Sequence, residues 1–79
     1  MKYRLTTNLL QRNAANLVFS LKEIPESIFI YRINDERRVN GKSLIGILSG
    51  HFLSDEVIII ETENRSRVRE IFNEFGNEV

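Results

Sequence analysis

Four β-branched residues in succession, Val57-Ile58-Ile59-Ile60, do most to limit what this chain can become. Such side chains lose rotamer freedom against the preceding turn of a helix, whereas a pleated strand accommodates them, so the run predicts a central strand continuing through Glu61-Thr62. A central strand needs paired neighbours and an apolar cover. With 79 residues the chain has material for a single domain, residues 1–79, built on one sheet and one modest core.

The remaining pattern supplies those parts. Tyr3 and Leu5 alternate with Lys2, Arg4 and Thr6, which predicts a short first strand with one buried face. Leu10, Ala14, Leu17, Val18 and Leu21 recur at spacings of three and four and predict a helix to about Lys22, capped by Thr7 or Asn8. Pro25 stops helical structure and favours an extended Ile24. Ile28 to Ile33 then reads as a strand, Asn34-Asp35-Glu36-Arg37 as a turn, and Arg38-Val39-Asn40 as its return. Both faces of this second strand are apolar, Ile28/Ile30 on one and Phe29/Tyr31/Ile33 on the other, so its buried face stays open. Ser43 is placed to cap a brief second helix and Gly50 to end it in a left-handed conformation. Val68, Ile71, Phe72 and Phe75 mark a last helix, with Gly76 as its stop. The order is β-α-β-β-α-β-α, an α+β chain without linker, repeat or low-complexity tract.

Composition narrows the function classes. Eleven basic and eleven acidic side chains cancel, so no net field recruits nucleic acid, and a protein partner is the expectation. Without cysteine there are no disulfides, thiolate nucleophiles or thiolate metal sites. No apolar run approaches a membrane span and Met1-Lys2-Tyr3-Arg4-Leu5 does not resemble a signal peptide, so the expected location is cytoplasmic, away from membranes.

Several short motifs have plain structural readings. Gly41-Lys42-Ser43 imitates the end of a phosphate-binding loop, but Glu36 stands where the motif needs its first glycine. His51 is the only histidine, so no two-histidine metal site forms and no metal or cofactor is expected. No acid, base and nucleophile set is recognisable, so no catalytic residue is assigned and the chain is not read as an enzyme. Asn64-Arg65-Ser66 fits a glycosylation triplet but reads as the cap of the last helix, with Arg65 and Arg69 on a solvated stripe.

One segment is more specific. Val39-Asn40-Gly41-Lys42-Ser43-Leu44-Ile45-Gly46-Ile47-Leu48-Ser49 closely resembles the regulatory-serine region of bacterial HPr proteins, and Arg12-Asn13-Ala14-Ala15 is similar to the Arg-Pro-Ala-Ala that opens their first helix. The resemblance to this phosphocarrier family of the phosphotransferase system extends along nearly the whole chain. It implies an open-faced β-sandwich, a four-stranded antiparallel sheet with three helices on one face.

The departures bear on function. In the family a histidine two or three residues before the arginine takes the phosphoryl group; here Leu10 or Gln11 stands there, the latter as in the HPr-like catabolite repression homologue. A hydrocarbon has no lone pair and a carboxamide nitrogen is not nucleophilic, so Leu10, Gln11 and Arg12 form a degenerate phosphohistidine site. The family's glycine before the histidine is absent and Asn13 replaces its proline. By resemblance, Ser43 is a phosphorylation site for an HPr kinase, and Arg12, Leu44, Ile45 and Leu48 a docking surface for a transcriptional regulator of carbon catabolite control. Two further readings stay open: a constitutive binding module in which Ser43 only caps its helix and the leucines complete the core, and a phosphocarrier using His51.

Overall fold

The computed structural model describes residues 1–79. Strand β1 (Lys2–Leu5) leads to helix α1 (Gln11–Leu21), the hairpin β2 (Ile28–Arg32) and β3 (Asp35–Asn40), helix α2 (Leu44–Gly50), β4 (Val57–Thr62), α3 (Arg65–Phe72) and β5 (Gly76–Glu78). The five strands form one antiparallel sheet in the order β3-β2-β4-β1-β5. The β-branched run is its middle strand, as the sequence predicts. Ile60 faces Ile30 of β2, and Ile58 faces Tyr3 of β1.

One sheet face is buried and one is open. Tyr3, Leu5, Ile28, Ile30, Ile58 and Ile60 pack against Ala14, Leu17, Val18, Leu21, Ile47, Val68 and Phe72 from the three helices in a single cluster. This decides the face of the second strand: Ile28 and Ile30 go inward, and Phe29 and Tyr31 lie on the open side.

The sheet has five strands, not four. Gly76 does not stop α3, which ends at Phe72 with Asn73 as its cap; it begins β5 opposite Leu5 of β1. The reason is space, since a Cβ on Gly76 would stand 2.4 Å from the Arg4 carbonyl oxygen. Gly50 likewise closes α2 without a left-handed backbone, which passes to His51 at φ 52°. A Cβ on Gly50 would meet the Phe52 ring at 2.3 Å, so this glycine too provides proximity. The return strand β3 starts at Asp35, earlier than expected, because Ile33-Asn34 make the turn and the Asp35 carboxylate accepts from the Arg37 backbone N–H at 3.1 Å.

Candidate functional site

The loop entering α1 holds the first group of predicted residues. Leu10, expected within the helix stripe, is instead its half-buried N-cap in extended backbone, and Leu9 takes the buried place. Gln11 follows with φ 51°, a left-handed conformation that is costly for a residue with a Cβ. Neither Thr7 nor Asn8 caps the helix. Their oxygens accept from the Asn13 amide instead, Thr7 Oγ1 at 2.7 Å and the Asn8 carbonyl at 3.1 Å, so Asn13 ties this loop down. Arg12 is exposed and takes part in none of the four ion pairs.

A second loop, between α2 and β4, is fastened to the first. Leu9 N–H donates to the Phe52 carbonyl at 2.8 Å, and Asn8 Oδ1 accepts from Ser54 N–H at the same distance. His51, exposed at the end of α2, therefore lies one residue from a backbone bond to the segment around Leu10. No group of three His, Asp or Glu side chains stands together in a way that would hold a metal.

Helix α2 carries the remaining predicted residues. Ser43 is its N-cap, with Oγ accepting from Gly46 N–H at 3.0 Å, which satisfies one of the donors a helix start leaves unpaired. Ile47 alone points into the core. Leu44, Ile45 and Leu48 are 40%, 77% and 38% exposed, so the leucines do not complete the core. They leave an apolar surface on a helix that packs directly against α1, whose own Phe19 is 72% exposed. Phe19 and Arg12 are seven residues apart, two turns along one helix face. Sequence reading passed over Phe19, although its absence from the apolar stripe was the available signal.

The sequence also gave no hint of the brace behind this surface. Arg32 donates to Glu56 Oε1 at 2.7 Å and Oε2 at 3.1 Å, and to the carbonyls of Gly50 and His51 at 2.9 and 3.0 Å. Its guanidinium also lies 4.5 Å from the Phe52 ring centroid. Glu56 in turn accepts from Leu53 N–H, so one charge pair fixes both the end of α2 and the following loop. The hydrogen bond from Arg32 holds the Glu56 carboxyl below its ordinary pKa of 4.5. A depressed carboxylate stabilises the fold above its unfolded pKa, and that contribution is lost as pH falls through the lower folded value. Arg32→Ala is expected to cost about 1–3 kcal/mol at neutral pH in urea unfolding. The difference from wild type should shrink below about pH 4.5; an equal difference at pH 3 and pH 7 would remove the pair from the account.

Asn64 caps α3 as expected, Oδ1 accepting from Arg67 N–H, whereas Arg69, expected on a solvated stripe, pairs with Glu78 of β5 at 2.9 Å. Gly41 is buried, with a Cβ there only 3.1 Å from Ile28 and Leu21, so it serves close packing.

This arrangement defines an HPr-like α+β fold in which a serine caps the start of a short, partly exposed apolar helix, and the segment after that helix is bonded to the loop entering α1. No family model matches the sequence and no curated protein matches it, but solved structures do. The phosphocarrier protein HPr from Bacillus anthracis str. Ames superposes with a TM-score of 0.83 at 25% identity, covering 95% of this chain and 93% of that one. HPr-C-His from Thermoanaerobacter tengcongensis gives 0.77 at 22% identity over 95% and 85% of the two chains. The histidine-containing phosphocarrier protein of a mycoplasma gives 0.78 at 15% identity over 94% and 91%. The last two are similar in fold alone.

Proposed function

We propose that this chain is an HPr-like regulatory and interaction module related to the phosphotransferase system, controlled by phosphorylation of Ser43, and neither an enzyme nor a phosphohistidine carrier. The observation that carries the reading is the pairing of a serine at the start of α2 with three exposed apolar side chains, Leu44, Ile45 and Leu48, in the next turn and a half. Against a carrier role stands the α1 loop, where Leu10 and Gln11 offer no imidazole to accept a phosphoryl group.

Phosphorylation would proceed by attack of Ser43 Oγ on the γ-phosphorus of ATP. The O–P bond forms as the bond to ADP breaks, and the hydroxyl proton leaves to the kinase. Charge added at a helix start is favoured by the unpaired N–H groups there, by about 0.3–1 kcal/mol at exposed sites. It also changes the surface that Leu44, Ile45, Leu48 and Arg12 present. The partners that fit are an HPr kinase and a transcriptional regulator of carbon catabolite control, in the cytoplasm of a bacterium.

One observation favours the constitutive module: Ser43 is half-buried and its Oγ is already engaged by Gly46 N–H. Intact-mass measurement after incubation with HPr kinase and ATP separates the two. A gain of one phosphate that disappears in Ser43→Ala is expected; no gain, or a gain that survives the substitution, overturns the regulatory reading. The same variant should lose about 0.5–2 kcal/mol of stability with its cap, measured in urea. For His51 as an alternative acceptor, replacement by glutamine should leave phosphoryl uptake from the general phosphotransferase enzyme unchanged, at none.

A further inference from the structure

A cleft of about 270 Å³ runs between β3 and α2, with Ser43, Gly46 and Gly50 along one wall and Arg37 and Val39 on the other. Positions 43, 46 and 50 recur at helical spacing, so one side of α2 faces the strand. Two of the three are glycines, which let Val39 and the Phe52 ring pack close to this side of the helix. A Cβ on Gly46 would come within 3.1 Å of Val39 Cγ1, which puts Val39 on the helix side of β3. Alternation along the strand puts Arg37 on that side as well.

We infer that a phosphoryl group on Ser43 is received within the same molecule by Arg37, across this cleft. The inference rests on the reading of Ser43 as a modified residue and adds the internal partner of the modification. Arg37 is the arginine of this cleft that lies on the helix side of β3. Its Nε and Nη2 donate to the Asp35 carboxylate at 2.8 to 3.2 Å, which orients the guanidinium, while Nη1 has no partner. The side chain is 86% exposed, so its unshared edge is open to an incoming group.

The two other arginines that line the cleft, Arg38 and Arg32, are paired away from Ser43. Arg38 alternates to the open face of the sheet, where it pairs with Glu61 and lies 4.7 Å from the Tyr31 ring centroid. Arg32 is held by Glu56 and two carbonyls at the far end of α2. A phosphoryl group brings three acceptor oxygens and nearly two negative charges, which suits the unshared edge of a guanidinium already fixed on its other edge. The pairing would fasten β3 to the start of α2 only in the modified protein.

The test uses full-length protein with phosphoserine incorporated at position 43 by genetic encoding, so that it does not depend on any kinase. Phosphorus NMR follows the second ionisation of the phosphoserine, which lies near about pH 6 without a partner. A paired arginine lowers it. In Arg37→Gln the midpoint should rise by about half a pH unit or more relative to the unsubstituted phosphoprotein. Arg65→Gln, at the start of α3, should leave it in place. An unchanged midpoint in Arg37→Gln overturns the inference, as does a rise produced by Arg12→Gln instead. Either result leaves the kinase experiment on Ser43 unaffected, and failure of that experiment leaves this one readable.

Discussion

Phe72→Ala lowers the stability of this domain by about 3–5 kcal/mol, a large share of the roughly 4–12 kcal/mol that a chain of this size holds. Phe72 is fully buried in the last turn of α3, with its ring centroid 5.8 Å from that of Tyr3 at an interplanar angle of 44°. Truncation leaves a cavity between the helix layer and β1. Leu17→Ala, on α1, should cost about 2–5 kcal/mol by the same mechanism. Urea unfolding that gave less than about 1 kcal/mol for both would contradict the core described above.

Gly76→Val should release β5 from the sheet at a cost of about 1–3 kcal/mol. The added Cβ would meet the Arg4 carbonyl oxygen at 2.4 Å, and that atom belongs to the backbone of a paired strand. Thr6 N–H, bonded to the Phe75 carbonyl, and Val79 N–H, bonded to the Lys2 carbonyl, should lose protection in hydrogen exchange. Amides in the β2·β4 ladder should keep theirs. Unchanged protection at Thr6 would mean that β5 tolerates a side chain there and that close approach is not what requires Gly76.

Most of the fold was legible in the sequence because its elements carry strong periodicity or strong composition. Val57 to Ile60 has no good place other than a central strand, and the stripe from Ala14 to Leu21 has no good use other than covering one. The fifth strand was not legible. Gly76-Asn77-Glu78 has neither alternation nor β-branched residues, and its pairing depends on a close approach to β1 that only three dimensions reveal. Glycine misled in the same way at residue 50, where it admits the Phe52 ring and the left-handed turn falls on His51.

Of the candidate site, Ser43 was readable because an N-cap is a local event within four residues. Leu10 was not, since a leucine at helical spacing looks like core until the chain before it is fixed by Asn13 and Phe52. Arg32, Glu56 and Arg37 were invisible for a different reason. Charged residues in a strand or loop read as solvent-exposed, and nothing local shows that Arg32 reaches the end of α2 or that Arg37 borders the cleft beside Ser43.

The proposed loss of the carrier role rests on the loop entering α1, where Leu10 and Gln11, a hydrocarbon and a carboxamide, are read as standing at the position of the family's phosphoryl-accepting imidazole. Intact-mass spectrometry of the full chain after mixing with phosphoenolpyruvate and the general phosphotransferase enzyme, with an authentic HPr as the positive control, tests it most directly. The expected spectrum contains only unmodified protein; an acid-labile, alkali-stable phosphate adduct on this chain would contradict it.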